Sequence, residues 1–432
     1  MSDRAARRGS GPRSAVVVIV ALVPAIGLAA LWNWARDEVR SIPVITVPSV
    51  DPAGIEEAGS YAEVPFASFR RIPSSVADEA LERSRTARMT SVAESVPAGA
   101  CLAVGGETGI RVEADGGVSA GDMQRVLVAG VALEVLGAEY RFETSLHADS
   151  FDGPVIGDLY LVGGGDPMLA TSDFADEFRS VPRWWTPVEA LADALVLLGV
   201  ERVAGDVVGD GTRYDDDLRP ADWPAEVSLV DAGRVDALMI DRGRLSTSPG
   251  NVAFDPVQAA ARTMVDLLRE RGVVVEGFPR TGTMPTDVPA VATVRGEPLP
   301  RVLAGMLASD DPDIAESVLK EIGVRTSGRG TRADGAAAIA GAVAAWGAAG
   351  VALTDGSGLG PENRVSCGAL LSAWERAGQL VTEGMLLGDG DVLGEIGDSP
   401  PVAAIGSARV LTDALAALAE VADPIALDEL LP

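Results

Sequence analysis

The sequence predicts an α/β (α+β) protein, and three observations carry that expectation. Val126, Leu127, Ala129, Gly130, Leu133 and Leu136 recur at helical spacing and Gly137 supplies a stop, so residues 116–144 contain an amphipathic helix. Cys101–Val104 and residues 109–113 read as short strands around GGET, and residues 157–169 (GDLYLVGGGDPML) as a strand running into a glycine turn. With 432 residues, 47% of them hydrophobic, the chain can bury one large domain with an insertion, or two to three ordinary domains.

Charge narrows the function classes. The net charge of -28 argues against nucleic acid, whose binding needs a basic surface. Lys320 is the only lysine among the 35 basic residues, so any mechanism that needs two lysines is excluded. His147 is the only histidine and sits in the loop-like string TSLHADSFDG. A Ser-His-Asp site would have to use it, and zinc peptidase chemistry needs more histidines than exist.

Arg4, Arg7, Arg8 and Arg13 precede an apolar run, which reads as a basic cytoplasmic tail (1–14) and a transmembrane anchor (15–34) with Trp32 and Trp34 at the far interface. A cleaved signal peptide is the alternative, and it would leave the protein secreted. Either way residues from 37 onward are expected outside the cytoplasm. Residues 35–75, rich in Pro, Gly, Val and acids, read as a stalk.

Helices are expected over 77–93, 187–200, 256–272 and 333–349, and a strand over 203–210. Asp215-Asp216-Asp217 reads as a solvated turn, because three adjacent acids cannot face one ion from a strand. Gly163-Gly164-Gly165-Asp166 lacks the spacing and lysine of a P-loop and reads as a tight turn into Pro167.

Four strings together resemble a known family: 116–144, GDLYLVGGGDP, LPRVLAGMLASDDPDIAESVLKEIG (299–323) and TDGSGLGPENRV (354–365). They are similar to those of the D-alanyl-D-alanine carboxypeptidases/endopeptidases, the class C low-molecular-mass penicillin-binding proteins. The resemblance runs from about Val64 to the end. It implies a transpeptidase-like domain (76–150 and 296–432) with a mainly antiparallel sheet, split by an inserted domain (151–295), and no cofactor.

The resemblance also locates the catalytic motifs, and none is intact. Counting back from Leu136-Gly137, the family's S-x-x-K serine falls on Asp122 and its lysine on Arg125. Asp122 has no hydroxyl to acylate, and Arg125 cannot serve as a base. Ser119 is no substitute, since three residues on lies Asp122. S-x-N becomes Ser309-Asp310-Asp311, where an ionised carboxylate cannot donate the hydrogen bond of an amide. K-T-G aligns with Ile405-Gly406-Ser407, and no lysine follows Lys320, itself expected on a solvated helix face.

The expected function is that of a membrane-anchored cell-wall pseudoenzyme that binds a peptidoglycan peptide or a cell-wall protein. The alternative is an active carboxypeptidase or endopeptidase with atypical motifs. Cys101 and Cys367 are the only cysteines, and the resemblance puts both in one domain. A disulfide between them is expected, with Cα atoms within about 7 Å. Two buried free thiols are the alternative.

Overall fold

The computed structural model describes residues 93–405 apart from 95, 106–110, 178–183, 226, 228–231, 247–249, 310, 381–384, 388–391 and 395–401. The expected anchor, the stalk, all but the last residue of the 77–93 helix, and Gly406 and Ser407 lie outside the described residues. Among the described residues no helix is long and apolar enough to cross a membrane. Elements are numbered in chain order.

Strand β1 (Cys101–Val104) is buried at every residue, because it lies inside a sheet and under helices. The sheet runs β14 (Met385–Leu387), β15 (Val392–Gly394), β16 (Val402–Ile405), β1, β2 (Arg111–Val112) and is antiparallel throughout. Helix α1 (Arg125–Val135) is buried from Arg125 through Ala132, which suits a helix that is apolar on nearly all sides. It packs closely on α8 (Cys367–Ala377), because Gly130 presents no side chain where a Cβ would stand 3.3 Å from the Ala373 carbonyl oxygen. Helices α5 (Leu299–Ser309), α6 (Pro312–Ser327) and α7 (Arg332–Ala345) complete this hydrophobic core.

A second core lies among the residues between. Its main sheet runs β12 (Pro279–Thr281), β10 (Val207–Asp210), β6 (Leu159–Val162), β3 (Glu143–Ala148), β13 (Ala290–Arg295). Here β10 is parallel to both β12 and β6, whereas β3 is antiparallel to β6 and β13. The parallel pairs require crossovers, and these contain α3 (Glu189–Leu197) and α4 (Pro256–Glu270). A smaller sheet, β11 (Val274–Val275), β9 (Arg202–Val203), β5 (Val155–Ile156), β4 (Phe151–Asp152), is parallel except at β4. A parallel pair, β7 (Leu169–Ala170) and β8 (Thr186–Pro187), flanks the short helix α2 (Ser172–Glu177). Taken together the sheets are mixed, which corrects the expectation of a mainly antiparallel sheet: the β14–β2 sheet is antiparallel, but crossover connections make most pairs of the others parallel.

Four further expectations need correction. The strand expected over 203–210 is two strands in different sheets, broken at Gly205, where a Cβ would stand 2.0 Å from the Asp158 carboxylate. His147 lies on β3 and not in a loop. Lys320 is fully buried, its Nζ donating to Asp215 Oδ1 (2.7 Å) and the Asp217 carbonyl (2.8 Å). The acidic run is thus not simply a solvated turn: Asp215 and Asp217 fold back as partners of the lysine and of Arg332.

The cysteines are bonded to each other, with Cα atoms 5.7 Å apart. The bond joins β1, an interior strand of the antiparallel sheet, to the first residue of α8.

Three outcomes follow from these contacts. Replacing Cys367 by Ala reopens a loop of 266 residues, which chain entropy values at about 5 kcal/mol as an upper figure. Denaturant titration should show a loss of at least ~2 kcal/mol, and the unreduced, denatured wild type should show no titratable thiol. Lys320→Ala leaves Asp215 without its cation and should cost about 3 kcal/mol. A loss below ~1 kcal/mol would contradict the buried-pair account.

The third outcome concerns pH. Burial pushes Asp166, Asp236 and Asp241 up to about 6 and Asp313 up to about 7. The native state then holds more protons than the unfolded chain between about pH 4 and 7, so stability falls as pH rises through that window. Self-repulsion of a chain with net charge -28 acts in the same direction. The thermal midpoint should rise by several degrees from pH 8 to pH 5, and a midpoint that peaks above pH 7 would refute this.

Candidate functional site

The N-terminal end of α1 carries the two residues aligned with the family's nucleophile and base. A 3-10 turn, Gly121–Gln124, feeds directly into the helix, and its N-cap Ala120 offers no side-chain bond. Asp122 projects outward, with its side chain 62% exposed, while Arg125 is 4% exposed. The two form an i,i+3 ion pair at 3.1 Å. Arg125 Nε also donates to the Ser357 carbonyl at 3.0 Å, which fixes the guanidinium from behind.

That carbonyl belongs to the loop 354–363, built around the fully buried carboxylate of Asp355. The carboxylate accepts from Trp223 Nε1 (2.7 Å), Asn363 Nδ2 (3.0 Å), Gln124 Nε2 (3.2 Å) and Ser357 Oγ (3.3 Å), and from the backbone N–H groups of Gly358 and Gly360 (2.8 and 2.6 Å). Gln124 Nε2 donates to the Asp355 carbonyl as well, at 2.8 Å. The loop turns back at Gly358 (φ +91), where a Cβ would stand 1.9 Å from the Gly121 carbonyl oxygen. Only glycine allows this loop to touch the turn that carries Asp122.

A second buried carboxylate, Glu316 on α6, holds the same loop from its other side. Its Oε1 accepts from the backbone N–H groups of Gly356 (2.8 Å) and Ser357 (2.9 Å), and its Oε2 from Arg332 Nε (2.6 Å). Burial raises the Glu316 pKa, and the adjacent Arg332 cation opposes that rise.

Ser309 ends α5, its hydroxyl donating to the Gly305 carbonyl one turn back (2.7 Å). Asp311 is the N-cap of α6, accepting from the Asp313 backbone N–H (3.0 Å), and its other oxygen pairs with Arg242. Beside it the buried Asp313 accepts from the Gly233 N–H at 2.8 Å. The Asp311 carboxylate is therefore spent on a helix start and an arginine. Ile405 is buried on β16 directly opposite Cys101, and its side chain belongs to the core that holds Met123 and Val126. These motif-aligned positions thus sit on elements sharing one hydrophobic core, although only Asp122 and Arg125 are bonded to each other among the described residues.

His147 makes a further arrangement. Its ring lies 2.9 Å from Ser145 Oγ through Nε2 and 2.9 Å from the Val288 carbonyl through Nδ1. If Nδ1 carries the proton, Nε2 can accept from the serine, but a carbonyl and not a carboxylate then orients the ring. Among the described residues no cluster of His, Cys, Asp and Glu could hold a metal.

Sequence reasoning missed Gln124, Trp223, Glu316 and Arg332 as the parts that position this region. Asp355 stood inside a recognised string, and an acid followed by Gly-Ser-Gly is the local signal of a carboxylate capped by its own backbone. Its partners at positions 124 and 223 leave no such signal.

Comparisons with known proteins bear on the family and the fold. A family model described as the D-Ala-D-Ala carboxypeptidase 3 (S13) family matches residues 106–251 and 248–389. A curated D-alanyl-D-alanine carboxypeptidase from an Actinomadura species is 29% identical over 305 residues, 56% of this chain. The match spans 57% of that relative's own length. Penicillin binding protein 4 of Haemophilus influenzae superposes with a TM-score of 0.57 at 17% identity, covering 73% of this chain and 92% of that one. A second structure of that protein, in complex with a β-lactam, superposes with a TM-score of 0.51 at 18% identity, covering 73% of this chain and 91% of that one. At such identities these two likenesses bear on the fold alone. The family match extends over more than half of the sequence, from before α1 to β14, and the chain therefore belongs to the D-Ala-D-Ala carboxypeptidase 3 (S13) family.

Proposed function

We propose that this protein is a cell-wall-associated pseudoenzyme: a D-Ala-D-Ala carboxypeptidase-like fold that binds a peptidoglycan peptide or a wall protein without hydrolysing it. The observation that carries the reading is the Asp122–Arg125 ion pair at the start of α1. Acyl transfer needs a hydroxyl and a neighbouring group able to take its proton. On the proposed alignment the first position holds a carboxylate, and the second a buried guanidinium that has donors only and no lone pair to accept with. Removing members of such a coupled pair costs on the order of 10⁶ in rate.

The other motif positions support the same reading. Asp311 is occupied as a helix cap and as the partner of Arg242, and the Ser309 hydroxyl is turned into its own helix. In this proposal residues 76–150 and 296–432 form the transpeptidase-like domain and 151–295 the insertion, a division supported by the two hydrophobic cores. The apolar run at 15–34 anchors the chain, with the folded part outside the cytoplasm; secretion after cleavage is the alternative.

Fluorescent penicillin provides the test. Incubated with the full-length chain and then boiled in detergent, it should leave no covalent label, while an active penicillin-binding protein run alongside is labelled. A boil-resistant adduct abolished by Ser309→Ala or Ser119→Ala would instead establish the active serine enzyme with atypical motifs.

A further inference from the structure

A pocket of about 570 Å³ opens where the chain leaves α1, lined by Glu139, Tyr140, Arg141, Glu143, Arg213 and Arg295 with Gly164 at its wall. Its size falls within the range of small-ligand sites. It presents three arginines on a chain of net charge -28.

The three arginines differ in what holds them. Arg213 is bound in bidentate fashion by the buried Glu321, Nε to Oε2 at 2.9 Å and Nη2 to Oε1 at 2.5 Å. Tyr140 Oη donates to that carboxylate at 2.8 Å. This triad is rigid, and the Arg213 side chain remains 36% exposed. Arg295 pairs with Glu143 at 2.7 Å, but with side chains 69% and 50% exposed this contact is worth little and is easily exchanged. Arg141 donates Nη1 to the Gly296 carbonyl at 2.6 Å and has no carboxylate partner among the described residues. Glu139 likewise has no cationic partner among them. The pocket therefore offers an exposed guanidinium held by one backbone carbonyl and by no described carboxylate, a second one preorganised by Glu321, and a carboxylate acceptor at Glu139. Gly164 lets the wall close in, because a Cβ there would stand 1.8 Å from the Glu143 carbonyl oxygen.

We infer that this pocket, formed by Arg141, Arg213, Arg295 and Glu139, is a binding site for a short acidic peptide. Planar guanidinium groups recognise carboxylates through paired, charge-assisted hydrogen bonds. One carboxylate lies against Arg141, a second replaces Glu143 at Arg295, and a peptide N–H or amino terminus faces Glu139. An inorganic anion would fill only a small part of the volume and leave Glu139 unanswered. The assignment does not rest on the inactive-cleft reading, and the outcome of penicillin labelling has no bearing on it.

Calorimetry on the full-length chain provides the test, with the dipeptide glutamyl-glutamate as probe and glutaminyl-glutamine amide and inorganic phosphate as controls. Saturable binding of the dipeptide at one site is expected, with no binding of the amide and no displacement by equimolar phosphate. Arg141→Gln should weaken binding about tenfold or more, as expected for loss of one charge-assisted bond. Arg295→Gln, on an exposed side chain whose loss leaves the fold intact, should weaken it by a smaller factor, and it decides the matter alone if the Arg141 variant does not fold. Absence of saturable binding, equal binding of phosphate, or unchanged affinity in the folded variants would overturn the proposal.

Discussion

The arrangement of the candidate site depends on one buried carboxylate. Asp355 accepts from Gln124 at the start of α1, from Trp223 far away in sequence, and from Ser357, Gly358, Gly360 and Asn363 of its own loop. Burying an ionised carboxylate is costly unless its lone pairs are satisfied, and here six donors satisfy them. The same bonds make the position of each contributor conditional on the others. The 3-10 turn that presents Asp122 is held in place because Gln124 must reach Asp355 and because Gly358 lies against Gly121.

Helix α6 extends this logic. It is buried from Pro312 to Gly323, yet that stretch includes Asp313, Glu316, Ser317, Lys320 and Glu321. The charged groups each have a partner from elsewhere: Gly233 for Asp313, Arg332 and the 355 loop for Glu316, Asp215 for Lys320, and Arg213 with Tyr140 for Glu321; Tyr214 bonds the Ser317 carbonyl, while the Ser317 hydroxyl donates to the Asp313 carbonyl within the helix. An apolar helix could slide or rotate among equivalent packings, but this one has a single register in which its charges are answered. Four of those partners come from residues 213–215 and 233, so the middle of the chain is fastened to α6 chiefly by polar contacts and not by a shared hydrophobic core.

How much of this was legible in the sequence varies with the range of the interaction. Helix α1 was legible as a helix because apolar residues recur every three to four positions and Gly137 ends it, but it is buried on nearly all sides where an amphipathic helix was expected. The disulfide followed from two cysteines in a chain expected outside the cytoplasm. Lys320 was misread because a lysine and a glutamate on a helix look the same whether they face water or a buried Asp215. His147 was placed in a loop because TSLHA alternates too briefly to reveal a six-residue strand. Parallel pairing was missed because strands of two to four residues carry no sign of direction. At the candidate site the motif positions are assigned by resemblance alone, while the bonds made there, Asp311 to Arg242 and Ser309 to Gly305, depend on the folded backbone.

The Asp122–Arg125 pair explains how such a scaffold can hold its shape with the residues it carries. Arg125 is buried, and its Nε donates to the Ser357 carbonyl. Enclosing a guanidinium costs hydration, which charged and hydrogen-bonding partners must offset. Asp122 contributes an anion from the solvent side, where its own desolvation is small because the side chain is mostly exposed. The pair is asymmetric: the carboxylate gives up little hydration, and the arginine gains both an anion and a fixed geometry. Energetically the two residues act as a unit, so substitutions at 122 and 125 are expected to be non-additive. On the proposed alignment, the positions of nucleophile and base at the start of α1 hold two opposite charges paired with each other.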